Sequence, residues 1–282
     1  TEIDRVAETT KFNETYLLKG DANGATKKIY LEAHDAGLKG KLTDNGDGTA
    51  TFVMDALKAG DSVTIAGKSY TIGAETADTD KIITDAEGKH SDIVINGATY
   101  KYIAANGNAD DSDKDNPIAG YYADGTWTAG GAKDLAALKG LATAGSTVEA
   151  DGKKLTSLKA ADATAGVSSD DSSVITKGKA YELAAKELLA ANQIGDTEGN
   201  AKVGTAANVD TAITKDNGDG TFKIKLAQTE VAEKLNFNLH VGSDADMTNK
   251  INVNIETMSS SYLGIKGLNV SDDTGVSATY AV

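Results

Sequence analysis

The clearest regularity lies near the end of the chain, where Leu235, Phe237, Leu239 and Val241 alternate with Asn236, Asn238 and His240. After a polar run at 242–249, Ile251, Val253 and Ile255 alternate with Asn252, Asn254 and Glu256. Side chains two apart share one face of a strand, so this pattern predicts a hairpin with one apolar face. Leu263, Ile265, Leu268 and Val270 follow as further apolar anchors between glycines. Elsewhere the alternation is short and repeated. "SVTIAGKSYTI", "DIVINGATYKYI" and "TVEADGKKLTSL" each set two short strands around a glycine, at Gly67, Gly97 and Gly152. "LTDNGDGTATFVM" near Asp44 returns as "ITKDNGDGTFKIKLA" near Asp216, and both read as hairpin tips. Units this small need neighbours to be stable.

Helical spacing is rarer. Leu135, Leu138 and Leu141 lie three apart in "GGAKDLAALKGLATAG", and Tyr181, Ala184, Ala185 and Leu188 share a face in "AYELAAKELLAANQIG", with Gly195 as the stop. At the opening, Ile3 and Val6 lie on one helical face, and Arg5 sits between Glu2 and Glu8 where opposite charges meet. The fold class expected is α+β, mostly β: short hairpins and small sheets with a few short helices.

Composition adds turns and removes several chemistries. The chain has 282 residues, of which 30 are glycine and one, Pro117, is proline; aromatics make up only 5%. Many glycines with almost no proline suit tight turns between short strands. No cysteine is present, which excludes disulfides, thiolate nucleophiles, iron–sulfur clusters and cysteine zinc sites. The 28 basic against 42 acidic residues give a net charge of −14, so neither nucleic acid nor an anionic membrane is an expected partner. No apolar run is long enough to span a bilayer.

Together the two ends resemble bacterial flagellin, the filament subunit. The resemblance rests on Ile3-Asp4-Arg5-Val6, Phe12-Asn13, Leu17-Leu18, Val241-Gly242, Leu263-Gly264 and Asn269-Val270, which occur in family order. It implies an excised outer portion, with a stub of the helix-plus-hairpin inner domain at each end and without the long terminal helices that assemble filaments and carry the export information. The fragment itself is then expected to be monomeric, with other flagellin subunits as partners of the full-length protein outside the cell. Antibodies and the host innate receptor are further expected partners, the latter weakly, since only about Thr1 to Thr10 of the receptor-facing helix is here. In the commonest family pattern the Leu-Leu strand runs almost directly into the hairpin. A long interval separates them in this chain.

The two Asp-Asn-Gly-Asp-Gly-Thr clusters bracket that interval and suggest nesting: a stub of 1–20 and 235–282, a middle outer domain of 21–75 and 205–234, and a tip domain of 76–204. Within the stub, Ile3, Val6, Phe12, Leu17 and Leu18 are expected to bury against the hairpin face carrying Phe237, Val241, Ile251, Val253 and Ile255. Neither a short helix nor an isolated hairpin holds itself together in water.

Candidate chemistry is sparse. His-Glu-x-x-His is absent, and His34, His90 and His240 read as surface histidines. In "NADDSDKDNPIAG", Asp111, Asp113 and Asp115 have the one, three, five spacing of a calcium loop. Asn116 stands where the turn wants glycine and Tyr122 where a bidentate Glu should close the site, so a solvated loop is the preferred reading and calcium a weak candidate. Gly-x-Ser-x-Gly, phosphate-loop and dinucleotide motifs are absent, so no catalytic residue and no cofactor is expected. Two classes remain: a structural, surface-exposed filament component, or an adhesive or carbohydrate-binding module on that filament, for which Trp127, Tyr121 and Tyr122 are the residues to watch.

Overall fold

A computed structural model describes residues 2–21, 23–106, 110–240, 250–263 and 265. The fold is α+β and mostly β, built of small antiparallel sheets and a few short helices. The chain opens with α1 (Glu2–Thr9), β1 (Lys11–Phe12), β2 (Thr15–Tyr16), β3 (Thr26–Tyr30), β4 (Gly40–Asp44) and β5 (Thr49–Met54). It continues through β6 (Ser62–Ile65), β7 (Lys68–Ile72), α2 (Thr76–Glu87), β8 (Ile93–Ile95), β9 (Ala98–Ile103) and β10 (Gly120–Ala123). Next come α3 (Leu135–Leu141), β11 (Thr147–Ala150), β12 (Lys153–Thr156), α4 (Ala160–Ala165), β13 (Val174–Ile175) and α5 (Lys177–Asn192). The last elements are β14 (Lys202–Thr205), β15 (Thr221–Lys225), β16 (Gln228–Ala232), β17 (Leu235–His240) and β18 (Lys250–Ile255). Two compact units result: Thr1–Asp55 with Ala184–Ile213 and Gly220–Val282, and Ala56–Leu183 with Thr214–Asp219.

In the first unit the main sheet has the order β14-β15-β5-β4. Phe52 and Phe222 stand opposite each other in register with ring centroids 6.0 Å apart, both fully buried, and Ala50 and Ile224 continue the apolar face. The first Asp-Asn-Gly-Asp-Gly-Thr cluster does turn a hairpin, with Asn45 N donating to Thr49 O between β4 and β5. The second is no tight tip: it ends the long 206–220 connection between the antiparallel neighbours β14 and β15, whose other edge pairs with the distant β5. Among the described residues the unit also has three two-stranded sheets: β1-β2, β16-β3 and β17-β18.

In the second unit a five-stranded sheet runs β10-β9-β8-β11-β12, and α2 and α3 pack Ile83, Ala86 and Leu138 against Ile93, Ile95, Tyr121 and Val148. A smaller sheet, β13-β7-β6, has β13 parallel to β7. The hairpins at Gly67, Gly97 and Gly152 all turn through two residues of positive φ: Ala66 and Gly67 (51° and 73°), Asn96 and Gly97 (52° and 83°), Asp151 and Gly152 (51° and 74°). That is the type I′ turn, whose twist matches the flanking strands. Among the described residues no helix is long and apolar enough to cross a membrane.

Candidate functional site

The acidic loop lies between β9 and β10. Asp111 takes a positive φ of 56°, which turns its carboxylate toward Trp127 rather than toward its acidic neighbours. It accepts from Trp127 Nε1 and from Gly130 N at 2.8 Å each, and the Tyr122 hydroxyl lies 3.4 Å away. The backbone donor of Gly130, followed by the indole, holds this carboxyl below the usual carboxylate range. Asp113 accepts from Asp115 N, and Asp115 pairs with Lys114 at 3.2 Å. The three candidate calcium ligands therefore serve three separate local tasks, and among the described residues no three His, Cys, Asp or Glu side chains cluster as a metal site.

What fastens residues 110–119 follows from β10. Neighbouring residues of a strand point to opposite faces, yet Tyr121 and Tyr122 are both buried, at 1% and 0% exposure. Tyr121 faces the helices, and its hydroxyl lies 3.3 Å from Ala86 O and 3.2 Å from Ser91 O. Burial, with Glu87 nearby, raises its pKa to about 12. Tyr122 faces the other way and donates to Ile118 O at 3.1 Å, beneath the loop that Asp111 fastens. Both tyrosines are packing residues, which removes two of the three side chains considered for a carbohydrate platform. Trp127 is half-buried with its indole N–H engaged.

The segments at the two ends of the chain meet through polar contacts. The Asp4 carboxylate accepts from Ser260 N and from Ser260 Oγ, 2.8 Å each, and Leu18 O accepts from Met258 N at 3.0 Å and Thr257 Oγ1 at 3.3 Å. Ala7, Thr257, Ser260 and Leu235 are buried there. The apolar side chains expected at this place are distributed differently. Ile3, Val6 and Phe12 are 37%, 43% and 71% exposed and Ile251 is 55% exposed, while Leu17, Leu18, Phe237, Val253 and Ile255 are half-buried. The hairpin pairs as its alternation requires, Phe237 opposite Val253 and Leu235 opposite Ile255, but its apolar face is covered only toward the Leu235 end. Val241, Gly242, Gly264, Leu268, Asn269 and Val270 lie outside the described residues, as does the side chain of His240. Sequence reasoning missed Asp4 and Ser260, although Asp4 stands inside the Ile3-Asp4-Arg5-Val6 motif; a helical carboxylate aimed across the chain has no spacing signature.

His34 is buried, not at the surface: Asn192, at the end of α5, accepts from its N at 3.0 Å and donates to its O at 2.9 Å, drawing that turn inward. His90 is exposed and stacks on Tyr102 at 3.6 Å. A cleft of about 580 Å³ in the second unit has Ile72 and Ala74 on its floor and Lys58, Glu75, Asp78 and Lys177 on its rim. Its Asp78 carboxylate is committed to the start of α2, accepting from Glu75 N at 3.0 Å. Comparison with protein-family models, with curated proteins and with solved structures finds no match to this chain.

Proposed function

We propose that the chain is the surface-displayed, variable portion of a bacterial flagellin, a structural subunit of the flagellar filament and not an enzyme. The observation that carries the reading is the pair of ties Asp4–Ser260 and Leu18–Met258. The two segments whose motifs resemble flagellin, 256 positions apart at Asp4 and Ser260, meet, so the long interval leaves from and returns to one place. A variable insertion carried on a conserved stub has that connectivity. The net charge of −14 suits a solvent-facing coat with little nonspecific adhesion. In this reading the partners are other flagellin subunits in the full-length protein, with antibodies and the innate receptor meeting it outside the cell.

The test is a chimera in which residues 1–282 replace the corresponding outer region between the terminal helices of a well-behaved flagellin, expressed in a flagellin-null motile bacterium. Filaments that restore swimming and bind antibodies against this chain along their length are the expected result. Absence of filaments, or filaments that such antibodies leave bare, contradicts the reading.

A further inference from the structure

The two-stranded sheet β16-β3 treats its two edges differently. Toward β16, the backbone groups of Lys27, Ile29 and Leu31 are those engaged, as fixed by the register and by Leu31 N donating to Ala227 O at 3.0 Å and Glu233 N to Ala25 O at 2.8 Å. On the far side of β16 the loop at 196–197 closes the ladder. Thr197 N donates to Gln228 O at 3.1 Å, and Gln228 N donates to Asp196 Oδ1 at 3.3 Å. Among the described residues the far side of β3 has no such cover. The N–H and C=O groups of Lys28 and Tyr30 point away from β16, and among the described residues no strand meets them; Glu32 follows two residues beyond the end of β3. All three residues are exposed, whereas Leu31 is buried against Ala201 and Ala227. A cleft of about 420 Å³, bounded across from this strand by Tyr262 and Leu263, runs beside the edge.

Lysines on an edge strand ordinarily discourage a second strand from adding to it. Here the sequence Lys28-Ile29-Tyr30-Leu31-Glu32 is complementary to itself when reversed about Tyr30. Lys28 falls opposite Glu32, Ile29 opposite Leu31, and Tyr30 opposite Tyr30. Opposite-charge, apolar and aromatic cross-strand pairs are each favourable, and the outward backbone groups of Lys28 and Tyr30 sit on residues that become hydrogen-bonded pairs. We propose that β3 is a docking edge for a second copy of this chain, added antiparallel about a twofold axis through Tyr30. The interface is isologous, so each contact occurs twice. Lys28 now pairs with Glu198 at 2.5 Å, and in the dimer it turns to Glu32 of the second copy. Five residues per strand make a contact well under about 1,200 Å², so association belongs in the range of roughly 0.1–1 mM. The proposal is independent of the filament reading.

Sedimentation analysis over that concentration range tests it on the full chain and on Lys28→Glu, Glu32→Lys and the double variant, with melting curves to establish that each folds. The native chain is expected to dimerise reversibly. Each single reversal creates two like-charge pairs and weakens dimerisation about tenfold. The double variant recovers it, and so does an equimolar mixture of the two single variants, because their edges become complementary to each other. A variant-free readout runs alongside: amide exchange at Lys28, Tyr30 and Glu32 slows as the native protein is concentrated, and that at Lys27, Ile29 and Leu31 does not change. A native chain that stays monomeric throughout, single variants that dimerise as well as the native chain, or a mixture that fails to recover would each overturn the proposal.

Discussion

The Asp4 carboxylate bridges two groups of one residue, accepting from both the amide and the hydroxyl of Ser260 at 2.8 Å. Ser260 is 2% exposed, so its two donors have no water to replace Asp4. Hydrogen bonds to a charged acceptor are among the stronger single contributions, and stranding their buried partner adds to the loss. Asp4→Ala should therefore cost about 2–3 kcal/mol of local opening free energy. Hydrogen exchange should rise together across residues 2–18 and 256–263 in that variant, while β5 and β15 keep their protection. Simultaneous loss in all these segments would mean that the ends do not open as a unit of their own.

Asp111 makes the second unit sensitive to acid. Its folded pKa is depressed, so the stability it contributes is complete above the ordinary carboxylate value of about 3.9 and is lost as pH falls through the lower folded value. Trp127 is the only tryptophan, so its fluorescence reports this titration directly. A midpoint below about 3.9 that disappears in Asp111→Asn is the expected outcome. A midpoint at or above that value would show the carboxylate to be free of the indole and the Gly130 amide.

Glu187 on α5 behaves in the opposite sense. It is 7% exposed, its Oε1 has no hydrogen-bond partner among the described residues, and burial raises its pKa. An acid whose folded pKa is raised loses stability as pH climbs from its unfolded value of about 4.3 through the folded one. Glu187→Met removes the buried carboxyl at similar length and should raise stability at pH 7 by about 1–2 kcal/mol, with a smaller gain below pH of about 4. Denaturant melts at the two pH values decide it, and a destabilised variant at pH 7 would contradict the burial argument.

Two glycines should respond to alanine with opposite signs. Gly97 has φ of 83° in the Asn96-Gly97 turn, with nothing within 4 Å of an added Cβ, so its penalty is backbone strain alone, about 1 kcal/mol. Gly140 is helical, exposed and equally open, so Gly140→Ala should stabilise by about 0.5–1 kcal/mol. Thermal melts moving in the same direction for both would refute the turn assignment.

The local β pattern was legible where its chemistry is local. Asn96-Gly97 and Asp151-Gly152 announce type I′ hairpins because few residues tolerate two successive positive φ values, whereas Ala66-Gly67 adopts the same turn with only its glycine as a signal. The second Asp-Asn-Gly-Asp-Gly-Thr cluster misled because it ends a long connection from β14 instead of forming a tight tip, and the pairing of β15 with the distant β5 is encoded by no local repeat. Helix α2 escaped notice because its apolar side is thin, with Thr79, Ile83 and Ala86 buried and acids filling much of the rest. Tyr121 and Tyr122 looked available because strand alternation puts one of two neighbours outward, and the Asp111 loop that covers Tyr122 is a tertiary feature. Asp4 and Ser260 were invisible for the same reason: their partnership exists only once the chain has returned.

That return is the claim on which the functional reading rests, and the absence of native cysteine makes it directly measurable. Asp4→Cys with Ser260→Cys places two thiols at positions now joined by hydrogen bonds from the Asp4 side chain. Under mild oxidation the double variant should form an intramolecular disulfide in nearly every molecule. The product should migrate faster on a non-reducing gel, and peptide mapping should recover residue 4 linked to residue 260. Failure to close, or closure only between molecules, would contradict the account of two ends meeting in one stub.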